Sequence, residues 1–157
     1  MTASKKVFIS KPATGSQGDG LKLITTTKDI SSKDVNLAQE YVAEPLLVDG
    51  LKFDLRVYVT IVGSGKNIMA YICDEGLARF CTVPYEYPNQ KNFKDEYMHF
   101  TNYSVNKSSP AYVKLAHDTS VEEILSINSG TKRTLTSMYK SLERDGIDSD
   151  EVKASIA

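Results

Sequence analysis

Apolar residues fall at every second position between 51 and 59, as Leu51, Phe53, Leu55, Val57 and Val59, and Lys52, Asp54, Arg56 and Tyr58 fill the places between. Period-two alternation puts the two sets on opposite faces of a β-strand. Upstream, "KKVFISKP" and "LKLITTT" read as short strands, and "GSQGDG" between them, with three glycines in six residues, reads as a flexible connection. "LAQEYV" mixes polar and apolar side chains on both faces, which suits a linker better than a plain strand. In "AEPLLVDG" the proline and the Asp-Gly pair mark a break and a turn. "GSGKN" at 63–67 predicts a hairpin into "IMAYIC". From "EYPNQKNFKDE" through "YMHFTNYSVNKSS" the pattern loses its period and reads mostly as loop. Ser120 with Glu123 then makes a capping box ahead of "ILSI", and Leu135, Met138, Tyr139 and Leu142 recur at helical spacing until Gly146. Asp148 or Ser149 can cap a last helix, on which Val152 and Ile156 begin an apolar stripe. The expected fold class is α+β, a mainly antiparallel sheet followed by C-terminal helices.

Composition narrows this. At 157 residues, 41% apolar and 25% charged, the chain suits one core and is short for two comfortable domains. A net charge of −1 supplies no basic field for nucleic acid or an anionic membrane, and no run approaches the roughly 20 apolar residues of a span. Cys73 and Cys81 sit in or beside apolar runs without metal-ligand spacing, so reduced, buried thiols are expected. "MTASKKVFIS" has no apolar core of a leader, which makes the cytoplasm the default location.

The chemistry-bearing residues are few. "GSQGDG" fits neither G-x-G-x-x-G opening a helix nor G-x-x-x-x-G-K-[ST], so both helix-terminus phosphate sites drop out. A glycine-rich strand–loop–strand can still lay backbone N–H groups over a polyphosphate, and Lys11 at its entry could add an ammonium. "LAQEYV" could offer a backbone edge to a planar ring. On residues alone, the charged face of 51–59 fits a hydrated surface better than a site.

Together, "SKPATGSQGDG", "AQEYVAEPLLVDGLKFDLRVYV", "EGLARF", "MHFTNYSVNK" and "GTKRTL" resemble the ligase domain of the tubulin tyrosine ligase-like enzymes, and within them the tubulin polyglutamylases. The resemblance implies a partial ATP-grasp fold over 1–157 as a single domain, lacking the family's amino-terminal lobe and its metal-binding strands. It implies ATP and Mg²⁺ as cofactors, with the metal's ligands downstream and none named here. Lys11 and Lys52 would contact the nucleotide, Gln17 and Gly18 would cover it, Gln39, Glu40, Tyr41 and Val42 would meet the adenine edge, and Thr101 and Asn102 the phosphate end. Asp54 would hold Lys52 and Arg56 in register and meet a ribose hydroxyl. Arg56 would face the transferred phosphoryl group as the catalytic cation. Arg79, Tyr103, Ser104 and Lys132 would bind the incoming glutamate, with arginine as a bidentate fork; His99 could line the acceptor side. The implied partners are free glutamate and the acidic tails of tubulin or microtubules, and the implied setting is the microtubule cytoskeleton, including the cilium or basal body. Related readings are addition of glycine or tyrosine, or a silent microtubule-binding homologue. Asp19 departs from the family's Gln-Gly-Arg-Gly loop by placing an acid where a base is usual, and a carboxylate there repels phosphate.

Overall fold

The computed structural model describes residues 6–30, 36–114, 119–120, 123–124 and 130–156. Two compact units divide the chain, one formed by Met1–Lys52 with Cys81–Ala111 and the other by Phe53–Phe80 with Tyr112–Ala157.

The first unit carries an antiparallel sheet in the order β2-β1-β3, from β1 (Phe8–Pro12), β2 (Lys22–Ile24) and β3 (Asn36–Glu40). The predicted pair of strands around the glycine loop is thus present. The expected linker is in part a third strand, whose register sets Gln39 opposite Ile9 and Lys11 opposite Leu37. Its mixed faces suit that role because most of its side chains stay exposed. Beneath the sheet, Val7, Leu23, Tyr41 and Phe100 form a buried cluster, with Tyr85 and Phe93 against it. β4 (Leu47–Val48) pairs with the start of β5 (Leu51–Arg56) across Asp49-Gly50. Both turn residues have positive φ, 54° and 72°, as a tight two-residue hairpin demands. The stretch read as loop contains two single-turn helices, α1 (Glu96–His99) and α2 (Tyr103–Asn106). Asp95 caps α1 by accepting from the Met98 N–H.

In the second unit, the end of β5 pairs with β8 (Leu77–Phe80), and β8 with β9 (Lys132–Thr134). β6 (Val59–Ser64) and β7 (Asn67–Ile72) form the expected hairpin. α3 (Leu135–Arg144) buries Leu135, Met138 and Leu142, is capped by the Thr134 hydroxyl, and ends at Gly146 (φ 79°). α4 (Ser149–Ala154) starts at Asp148, whose carboxylate accepts from the Asp150 and Glu151 N–H groups. The Ser120–Glu123 capping box is made reciprocally, at 2.9 and 3.2 Å, while 125–127 of "ILSI" lie outside the described residues.

Three expectations need correction. The strand predicted over 51–59 is two strands, with Val57 and Tyr58 between them. Its apolar face is not uniformly buried: Phe53 packs on Phe80 at 5.5 Å between ring centroids, yet Val59 is 55% exposed. Cys81 is buried as expected, whereas Cys73, at the end of the open hairpin, is exposed. Among the described residues no helix is long and apolar enough to cross a membrane.

Candidate functional site

The glycine loop of the first unit closes over a cleft of about 370 Å³ whose lining includes Lys11, Gln17, Gly18, Lys52, Thr101 and Asn102. These six come from three stretches far apart in sequence, 11–18, 52 and 101–102, while five other predicted nucleotide contacts, Gln39, Glu40, Tyr41, Val42 and Asp54, are not in its lining. Gln17 takes a positive φ of 62°, and its carbonyl accepts a hydrogen bond from the Ser104 hydroxyl, which ties the loop to α2. Gly18 (φ 92°) passes so close to Asn102 that an added Cβ would lie 2.8 Å from its Cγ. Only glycine permits that approach. Asp19 lines the same cleft and remains exposed.

Two lysines enter this cleft with defined partners. The Lys11 ammonium donates to Gln39 Oε1 at 2.6 Å, across the β1–β3 pair. Lys52 Nζ donates to the Tyr41 hydroxyl and to the His99 carbonyl, each at 2.8 Å. Tyr41 therefore turns its ring inward, 7% exposed, and its N–H is bonded to the Val7 carbonyl. Burial pushes the Tyr41 phenol well above its usual pKa, so it stays protonated. Glu40 pairs with Lys6 at the surface and the Val42 side chain is exposed. His99 is buried at 1% exposure and belongs to the lining of the same cleft. Tyr103 is exposed, near the Lys107 ammonium.

In the second unit a row of charge crosses the sheet. Register sets Asp54 opposite Arg79 and Arg79 opposite Lys132, so the three side chains share one face. Arg79 grips Asp54 bidentately, Nε to Oδ1 at 2.7 Å and Nη2 to Oδ2 at 2.6 Å. That hydrogen bond raises the already high pKa of the guanidinium. Asp54 was expected to hold Lys52 and Arg56 in register; its bidentate partner is Arg79. Arg56 is exposed, its guanidinium 6.0 Å from the Tyr58 ring centroid. Among the four predicted glutamate contacts, Arg79 and Lys132 are neighbours in this unit, and Tyr103 and Ser104 belong to the first. The described residues gather no group of three His, Cys, Asp or Glu side chains suited to a metal ion.

The tubulin-tyrosine ligase family matches residues 1–157. The chain belongs to that family. Relatives within it include Tubulin polyglutamylase ttll-11 of Caenorhabditis elegans, 44% identical over 142 residues, covering 89% of this chain and 19% of the relative. Human Tubulin polyglutamylase TTLL11 is 40% identical over 157 residues, covering 97% and 21%. Zebrafish (Danio rerio) Tubulin polyglutamylase ttll6 is 39% identical over 151 residues, covering 96% and 18%. The chain thus spans about a fifth of the length of these family members. Its mixed α+β, antiparallel character agrees with the partial ATP-grasp fold that the resemblance implied.

Sequence reasoning missed two supports of this tubulin-tyrosine ligase family site. Asn106 is buried and bonds to the Phe100 and Asn102 carbonyls and to Thr82, so it fixes the Thr101–Asn102 corner of the cleft. Its position one helical turn past Asn102 was the available signal. The Tyr41–His99 contact joins residues 58 apart, and no local pattern announces it.

Proposed function

We propose that the chain is the nucleotide- and amino-acid-binding part of an ATP-dependent ligase that adds glutamate to tubulin in the microtubule cytoskeleton. The observation that carries this reading is the cleft holding Lys11, Lys52, Thr101 and Asn102 under a glycine loop, in a family whose matched relatives are polyglutamylases. The two ammonium groups and the loop's backbone would hold the triphosphate, with the backbone of Gln39–Val42 at the adenine edge. Arg79, aimed by Asp54, and its neighbour Lys132 would take the carboxylates of free glutamate. Arg56 would offset charge developing on the transferred phosphoryl group. In the implied reaction, a tubulin glutamate carboxylate takes the γ-phosphoryl of ATP, ADP leaves, and the amine of free glutamate displaces phosphate from the acylphosphate to form the isopeptide bond. Mg²⁺ would accompany ATP; among the described residues no three His, Cys, Asp or Glu side chains gather to hold it.

A second reading, a tubulin-binding module without turnover, is favoured by Asp19, whose carboxylate lines the cleft and opposes phosphate. Titrating the chain with a fluorescent ATP analogue separates the two. Saturable binding that weakens about tenfold in Lys52→Met, roughly 1.4 kcal/mol, supports the ligase. Absence of binding to the wild-type chain overturns it. Incorporation of labelled glutamate, tested against glycine and tyrosine on tubulin with a longer family polypeptide containing these residues, then identifies the amino acid.

A further inference from the structure

Behind the cleft, four groups form one hydrogen-bonded line. Lys52 Nζ reaches the Tyr41 hydroxyl at 2.8 Å and lies 4.2 Å from the centre of its ring. The Tyr41 oxygen lies 3.2 Å from His99 Nδ1, and His99 Nε2 lies 3.1 Å from the Asn92 carbonyl. A carbonyl can only accept, so Nε2 carries a proton. In a neutral ring Nδ1 is then an acceptor, and the donor facing it is the phenol. Tyr41 gives its proton to His99 and presents its lone pairs to the ammonium. The donors thus run in one direction, Lys52 to Tyr41 to His99 to Asn92.

We propose that the Tyr41 phenol and the His99 ring are positioning groups that aim the Lys52 ammonium into the cleft, neither side chain itself touching a ligand. This rests on the reading of the cleft as a phosphate site. Lys52 also bonds to the His99 carbonyl, so the same residue fixes the ammonium through its backbone and, by way of Tyr41, through its ring. The arrangement needs a neutral imidazole. A proton on Nδ1 would turn that atom into a donor, oblige the Tyr41 oxygen to serve two donors, and set a second positive charge near Lys52. The charged and titratable groups about His99 are Lys52, Asp95, Tyr41 and Tyr85. Burial first, and then the Lys52 charge, hold the ring's pKa below its ordinary value, against the opposing pull of Asp95.

Two measurements on the full chain test this. In nitrogen-15 spectra at neutral pH, His99 is expected as the Nε2–H tautomer, and the Lys52 ammonium protons are expected to exchange faster in Tyr41→Phe, which keeps the ring and its packing. An Nδ1–H tautomer, or an ammonium signal unchanged by Tyr41→Phe, overturns the proposal. Binding of the ATP analogue across pH 5–8 is the second. Tyr41→Phe is expected to lose about tenfold in affinity, and wild-type affinity to fall towards pH 5 more steeply than that of His99→Gln, since the analogue's own terminal phosphate titrates alike in both. If Lys52→Met weakens binding while Tyr41→Phe and His99→Gln keep the wild-type affinity and pH profile, the nucleotide reading stands and the relay falls. If the wild type binds no nucleotide, the nucleotide reading falls and the spectra alone decide the relay.

Discussion

At the scale of single residues, Gly18 carries two constraints at once. Its φ of 92° lies where a side chain is strained, and its Cα faces Asn102 at a distance that leaves no room for a methyl group. Alanine would add about 1 kcal/mol of backbone strain and push the loop off Asn102. Gly18→Ala is therefore expected to fold with a small loss of melting temperature but to bind the ATP analogue several-fold more weakly, as a titration beside a melting curve would show. The Asp54–Arg79 pair makes the opposite case. Its side chains are 37% and 27% exposed, so water and salt screen it and its worth to stability is about 1 kcal/mol or less. Its value lies in aim: Asp54→Asn should leave the melting temperature within a few degrees while the Arg79 Nε–H resonance loses its protection from exchange. An equally protected Nε–H in the variant would show that something else holds the guanidinium.

Among the elements, α3 depends on a residue that precedes it by 60 positions. Glu75 Oε1 accepts from the N–H groups of Gly76 at 2.9 Å, Leu135 at 2.7 Å and Thr136 at 3.3 Å, meeting donors that a helix start leaves open. Burial pushes the Glu75 carboxyl up, but these hydrogen bonds outweigh it and the pKa is lowered. A lowered carboxylate pKa means the unfolded chain takes up the proton first. The stabilisation is therefore complete above the unfolded value of about 4.3 and is lost as pH falls through the folded one. Chemical unfolding should show Glu75→Gln less stable by about 0.5–1 kcal/mol near neutrality, the glutamine keeping an acceptor and water screening the lost charge, with the gap to wild type closing below pH 4. The helix was legible in the sequence because Leu135, Met138, Tyr139 and Leu142 repeat at its period and Gly146 ends it, whereas its Thr134 cap was not read. Glu75's part in it was not, since a cap delivered from a distant segment leaves no local mark. The same holds for the site: the glycine loop and "TN" corner were readable as motifs, whereas the inward turn of Tyr41 depends on a histidine that only tertiary packing brings beside it.

For the whole molecule, the decisive feature is apolar surface left open on the β6–β7 hairpin. Register puts Ile61 opposite Ala70 and Gly63 opposite Ile68 on one face, and Val62 opposite Met69 and Thr60 opposite Tyr71 on the other. Ile61 is 69% exposed and Ile68 62%. Every described residue of both strands is exposed and the sheet has only these two strands, so the hairpin is a two-sided apolar ribbon, the arrangement that invites association. A chain of net charge −1 has little repulsion to oppose it, and less still near its isoelectric point of about 6.1. Sedimentation velocity is therefore expected to show concentration-dependent association of the chain that strengthens as pH is lowered from 8 towards 6. Replacing Ile61 and Ile68 by glutamate adds two negative charges and removes much of one apolar face, and it should return the chain to a monomer without lowering its melting temperature, because neither side chain is part of a buried cluster. Association that persists unchanged in that double variant would place the sticky surface elsewhere and leave the hairpin a solvated ribbon.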